Sequence, residues 1–184
     1  MKKTLVKDLM VPLSDYVTVP DDATLGEAVA ALKKSQADCE PGKHPHRAIL
    51  VFDKNNEIVG KISLLSVLRG LEPKYEDMLS DRGPIHLGFT RSFQTKLIEQ
   101  LRLWETPLEH ICEKAARLKV HAFMNAPEKG EYIDLTATLD EAIHLIVIGC
   151  HQSLLVADKN KVVGVLRLID VFEVVAESVM ACKL

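Results

Sequence analysis

Hydrophobic positions along this chain follow two periods. Arg47-Ala48-Ile49-Leu50-Val51-Phe52 is an almost unbroken apolar run of strand length. Such a run predicts a strand covered on both faces. The polar stretch Asp53-Lys54-Asn55-Asn56-Glu57 reads as a turn. Residues 58–62 return as a second strand, and Ser63 or Ser66 opens a helix running through Leu71. Upstream, residues 16–19 read as a short strand. Leu25, Ala28, Val29 and Leu32 then recur at helical spacing. Asp22 or Thr24 can cap that helix, its side-chain oxygen accepting from an otherwise unpaired backbone N–H.

The same order of elements occurs twice. Val6 aligns with Val120, Met10 with Met124, Ala23-Thr24-Leu25 with Ala137-Thr138-Leu139, and Glu27-Ala28 with Glu141-Ala142. After a longer loop in the first copy, His46 aligns with His151, Leu50-Val51 with Leu155-Val156, and Asp53-Lys54-Asn55 with Asp158-Lys159-Asn160. Val59-Gly60, Leu64 and Val67 then match Val163-Gly164, Leu168 and Val171. Matches in one order, with gaps confined to loops, mark an internal duplication. Each copy reads as strand, helix, strand, strand, helix. The expected architecture is α+β, with repeats at 4–72 and 119–182. The second ends in a long helix whose face includes Val171, Phe172, Val175 and Val179.

The intervening residues 73–118 open with loop signals at Pro73, Gly83, Pro84 and Gly88. Phe93, Leu97, Leu101 and Trp104 then recur at helical spacing. Thr106-Pro107-Leu108-Glu109 resembles a fresh helix start, with a Thr cap, Pro in the first turn and Glu three residues after the cap. Leu108, Ile111, Ala115 and Leu118 continue an apolar stripe. The insert is expected to be two helices rather than a tether.

Composition narrows the function. Of 184 residues, 47% are hydrophobic, 27% charged and only 5% aromatic, so aliphatic side chains must build the core. Net charge is −3, which argues against a nucleic-acid partner held by charge. Lys7 and Asp8 interrupt the apolar run that a signal peptide needs. No uncharged apolar stretch reaches the roughly 18 residues of a spanning helix. Cys39, Cys112, Cys150 and Cys182 are scattered without a C-x-x-C. The expectation is a cytoplasmic chain with reduced thiols and no membrane partner; Cys112 and Cys182 read as small hydrophobes on helical stripes. No G-x-S-x-G, P-loop, H-E-x-x-H or G-x-G-x-x-G is present, and nothing points to catalysis.

Three segments carry a family resemblance. They are Val6-Lys7-Asp8-Leu9-Met10-Val11-Pro12, Val17-Thr18-Val19-Pro20-Asp21-Asp22-Ala23-Thr24-Leu25-Gly26-Glu27-Ala28, and Ile58-Val59-Gly60-Lys61-Ile62-Ser63-Leu64-Leu65-Ser66-Val67-Leu68. The second copy answers with Val162-Val163-Gly164-Val165-Leu166-Arg167-Leu168-Ile169-Asp170-Val171-Phe172. The repeat resembles a tandem pair of CBS domains, the module named after cystathionine β-synthase, with an unusually long insert. The resemblance implies two β-α-β-β-α units about a pseudo-two-fold axis. It also implies clefts that take an adenosine-containing ligand (AMP, ADP, ATP or S-adenosylmethionine), a homodimer, and a non-catalytic sensor role signalling to an unidentified protein effector. With no effector domain evident in the sequence, the output is expected to pass through another chain or the insert.

The family's nucleotide signature is Gly, two residues, Ser/Thr, two residues, then Asp. A Gly admits ligand to the backbone. A hydroxyl at a helix N-terminus suits phosphate, and a carboxylate can accept from both ribose hydroxyls. The first copy has Gly60 and Ser63 but Ser66 in the Asp place. The second has Gly164 and Asp170 but Arg167 in the hydroxyl place. Arg167 can hold phosphate by a forked contact, or be a solvated charge at a strand end. The resemblance also places Thr18, Val19, Arg47 and Ala48, and Ile133, Asp134, Ser153 and Leu154, at the clefts.

Two other readings compete. One is an interaction module that has lost its ligand. The other is a metal or thiol sensor built on Cys39, His44 and His46. Their spacing fits no standard zinc pattern, so no metal or other cofactor is expected. His46, Arg47 and His151 instead border the clefts or are plain loop residues.

Overall fold

A computed structural model of the protein describes residues 4–72, 74–75, 95 and 110–182. The helix expected from residue 92 to 104, apart from residue 95, and the start expected at residue 106 lie outside these residues. Among the described residues are seven strands and five α-helices.

The strands are β1 (Val11–Pro12), β2 (Thr18–Pro20), β3 (Ala48–Phe52), β4 (Ile58–Ser63), β5 (Tyr132–Asp134), β6 (Ser153–Asp158) and β7 (Lys161–Arg167). The helices are α1 (Leu25–Ala37), α2 (Leu64–Leu71), α3 (Ile111–Arg117), α4 (Leu139–Gly149) and α5 (Leu168–Ala181). One sheet runs β2-β3-β4 and the other β1-β7-β6-β5. Within each copy the first strand pairs parallel to the next and the hairpin pairs antiparallel. The strand expected at 16–19 begins two residues later, because Tyr16 turns inward and is buried between the sheets.

Helix starts follow the duplicated Ala-Thr-Leu-x-Glu-Ala. Thr24 Oγ1 accepts from the Glu27 N–H at 3.2 Å, and the Glu27 carboxylate accepts from the Thr24 N–H at 2.7 Å. At α4 the Glu141 carboxylate accepts from the Thr138 N–H at 2.8 Å. A Thr three residues before a Glu therefore satisfies backbone donors that a helix start leaves open. Of the two caps the sequence allows at each remaining start, Thr24 serves α1 and Ser63 serves α2.

Both repeats bury aliphatic cores. Ile49, Leu50, Val51 and Ile62 on one side, and Leu154, Leu155, Val156 and Leu166 on the other, are at most 1% exposed. Burying each such side chain contributes about 1.5–3 kcal/mol. The leading segment of each copy crosses to the other copy. Val6 packs in the core of the second repeat, and Val120 and Phe123 in that of the first. The crossing is reciprocal: the Val6 N–H donates to Ala137 O, and the Val120 N–H to Ala23 O, both at 2.9 Å. β1 completes the second sheet by pairing Val11 with Val165 and Pro12 with Gly164. Its counterpart Asn125 bridges Lys61 on β4.

Of the insert, α3 is described. Ala115 and Leu118 pack on the first core, and the Lys114 ammonium donates to the Leu71 carbonyl at the end of α2. Cys112 and Cys182, expected to act as small hydrophobes, are exposed, because α3 and the end of α5 turn them away from the cores. Val171, expected to share a helix face with Phe172, Val175 and Val179, is instead 3% exposed within the second core. It lies on the side of α5 that covers β6 and β7, while Phe172 beside it remains 57% exposed. No described helix is long and apolar enough to cross a membrane.

Candidate functional site

Each repeat ends at a junction where its last strand becomes its last helix. At both junctions the residue capping the helix faces the residue three positions on. In the first repeat these are Ser63 and Ser66; in the second, Arg167 and Asp170.

At the second junction Arg167 turns its guanidinium back over the first turn of α5. Its Nε donates to Asp170 Oδ2 and its Nη2 to Asp170 Oδ1, both at 2.6 Å. The third direction of the fork, Nη1, donates to the His44 carbonyl at 2.7 Å, in the long loop of the first repeat. Both side chains are largely buried, 12% and 17% exposed. A planar fork matches a carboxylate in this way, and the start of a helix favours an acidic group in its first turn.

Four further side chains lie around the pair. His46 Nε2 lies 3.1 Å from the Asp15 carbonyl, and its ring meets Tyr16 edge-on with centroids 4.5 Å apart. His46 Nδ1 is buried with no partner among the described residues. Burial, then the positive charge of Arg167, holds the His46 pKa below the usual imidazole value. Burial also pushes the Tyr16 hydroxyl up to about 12. His44 Nε2 reaches Glu173 Oε1 on α5 at 3.2 Å. Cys39, His44 and His46 thus point to different partners, since the Cys39 thiol donates to the Lys43 carbonyl at 3.4 Å. No three potential ligand side chains converge on a metal position among the described residues.

The first junction is closed in another way. Ser63 Oγ and Ser66 Oγ lie 2.8 Å apart, and Asn125 Nδ2 donates to Ser66 Oγ at 3.1 Å. Ser66 is 2% exposed. Alongside, the Lys61 ammonium is paired with Glu131, both 13% exposed, and His151 Nδ1 stands 3.8 Å from the same carboxylate. The repeat equivalents His46 and His151 therefore each border one junction.

The remaining expected residues divide. Val19, Ile133 and Leu154 have their side chains in the cores. Ser153 is buried and pairs across the ladder with Arg167. Gly164 faces Pro12 of the crossing strand. Ala48 pairs with Ser63 across the first sheet, while Thr18 and Arg47 are exposed. Asp134 accepts from the Thr136 N–H and hydroxyl, which hold its carboxyl below the usual range. With Asp140, Glu141 and His144 it lines an open depression of about 710 Å³. Three carboxylates there disfavour a polyphosphate. The sequence reading missed Asp15, Tyr16 and Glu173 at the second junction, and Lys61, Asn125 and Glu131 at the first. The opposite charges of Lys61 and Glu131 are far apart in the chain, and no motif links them.

The CBS domain profile matches residues 6–73 and 120–177, more than half of the chain. The chain belongs to the CBS domain family. The CBS domain of a membrane protein from Sphaerobacter thermophilus superposes with a TM-score of 0.61 at 19% identity, covering 94% of this chain and 88% of that one. CBSX2, an Arabidopsis thaliana CBS-pair protein, was solved in complex with AMP; that complex gives 0.58 at 15% identity, over 95% and 98%. The CBS domain of a bacterial CNNM/CorC family Mg2+ transporter in complex with ATP gives 0.57 at 15%, over 95% and 89%. At these identities the likeness is one of fold. No curated protein matches the sequence. The two matched stretches leave α3 between them.

Proposed function

We propose that this CBS pair is a non-catalytic regulatory module. It binds an adenosine-containing ligand (AMP, ADP, ATP or S-adenosylmethionine) at the second junction and passes its occupancy to a protein effector. The observation that carries this reading is the carboxylate of Asp170 in the first turn of α5, beside an arginine. A ribose diol needs a strong acceptor, and in the Asp place of the signature the first junction has the neutral Ser66, already engaged by Asn125; the Glu131 carboxylate alongside is paired with Lys61. Hydrogen bonds to charged groups contribute about 1.5–3 kcal/mol, against 0.5–1.5 for neutral ones. Relatives of the same fold solved with AMP and ATP support the ligand class.

In this reading Asp170 takes the ribose and Arg167 the phosphate, while Gly164 lets the crossing strand β1 lie close beside β7. Signalling is a population shift: the ligand favours one arrangement of the two repeats only by binding it more tightly. The active form is a cytoplasmic homodimer. Thermal unfolding with AMP, ADP, ATP, S-adenosylmethionine and adenosine tests the ligand class. A ligand that binds only the native state raises the melting temperature with its concentration; no shift with any of the five contradicts the proposal.

One observation favours a second reading. The polar groups of both signatures are already satisfied inside the protein, as a module without a ligand requires. Such a module would show no shift with any nucleotide, yet would still bind its protein partner.

A further inference from the structure

The Arg167–Asp170 pair does more than place two groups side by side. It engages both oxygens of the Asp170 carboxylate, so a diol arriving there has to share that carboxylate with the guanidinium or displace it. The same guanidinium spends its third direction on a backbone carbonyl of the other repeat. That carbonyl belongs to the loop between α1 and β3, which carries Cys39, His44 and His46. One side chain therefore masks the acceptor and ties the two repeats together.

We infer that Arg167 is a latch on the second junction, closed in the free protein and opened by the anionic group of an adenosine ligand. The inference rests on the nucleotide reading and deepens it. A phosphate offers the guanidinium a replacement for the carboxylate, in the same forked geometry. As Arg167 turns to the phosphate, Asp170 is uncovered for the ribose, and the bond to the His44 carbonyl breaks. Plain adenosine brings no charge to draw the arginine away, so it has to displace a largely buried ion pair unaided. The latch thus selects adenosine ligands bearing an anionic group over plain adenosine and converts binding into release of the loop.

The loop contains its own reporter. The Cys39 thiol is bonded to the carbonyl of Lys43, next to His44, and is half-buried, whereas Cys112, Cys150 and Cys182 are exposed. Alkylation by iodoacetamide, followed separately for each cysteine peptide, reads the loop at Cys39 with the other three as controls. It is measured on wild type, Arg167→Leu and Arg167→Lys, each with and without AMP. Lysine keeps the charge beside Asp170 and so protects the fold, but lacks the fork that reaches both partners. Calorimetric titration of the same proteins with AMP and adenosine runs in parallel.

The latch predicts that AMP accelerates Cys39 alkylation in wild type, and that both variants are already fast without ligand. It also predicts that wild type prefers AMP to adenosine by at least about tenfold, a gap that closes in Arg167→Leu because adenosine gains. If AMP binds but Cys39 reacts at the wild-type rate in both variants, the latch is overturned and the nucleotide reading stands. If neither ligand binds wild type or either variant, the nucleotide reading fails and takes the latch with it. Binding of AMP to a variant but not to wild type supports a closed latch.

Discussion

His46 shows how much a single residue's surroundings decide. Its Nδ1 is buried without a partner, and Asp15, Tyr16, Arg167 and Asp170 surround the ring. Burial and the Arg167 charge lower its pKa in the native state, so the unfolded chain binds the proton more readily. The stabilising contribution is present above the unfolded value of about 6.5 and is lost as pH falls through the lower native value. Urea unfolding at pH 7 and pH 5 should show wild type losing more stability on acidification than His46→Gln. An equal loss in both would remove His46 from the account. By its alignment with His151 the sequence marked His46 as a cleft border or a plain loop residue, but not the tyrosine or the arginine that set its chemistry. Tyr16 and Arg167 lie far from His46 in the chain, and no local pattern brings them to it.

At the scale of elements, the duplicated segments were legible because their signals are local. The strand at β3 follows from an unbroken apolar run, and the α1 start from a Thr and a Glu three residues apart. The exchange of leading segments was not legible. Val6 and Val120 are ordinary apolar residues, and only the closed fold assigns each to the opposite core. The glycines of the signature belong to this exchange. A methyl group on Gly164 would stand 2.7 Å from the Val11 carbonyl oxygen and from Met10 Sδ; one on Gly60 would meet only the side chain of Met124, at 2.3 Å from its Sδ. A flexible methionine can move aside, but the crossing strand cannot without losing its pairing with β7. Gly164→Ala should therefore cost about 1–3 kcal/mol, and more than Gly60→Ala, when chemical unfolding of the two is compared. The reverse order would mean that β1 is not held where it is described.

For the molecule as a whole, outward apolar side chains bear on assembly. Leu64, Leu65 and Leu68 on α2 and Phe172, Val179 and Met180 on α5 are all at least 48% exposed. Apolar surface of this kind favours association, and a two-fold contact would make it self-complementary. Light scattering should give twice 20.5 kDa at micromolar concentration, and Phe172→Glu should shift the mass toward the monomer; a monomeric wild type contradicts the homodimer. The two-copy layout and the place of the signatures were readable from sequence. The ion pair that closes the second junction was not, because Arg167 and Asp170 read separately as a phosphate holder and a ribose holder. The claim that the molecule takes an adenine nucleotide there is tested most directly by calorimetric titration of AMP into wild type, Asp170→Ala and Ser66→Ala. The account predicts that Asp170→Ala weakens binding by about tenfold or more while Ser66→Ala binds nearly as wild type does. Equal losses in the two variants, or full binding by Asp170→Ala, would contradict it.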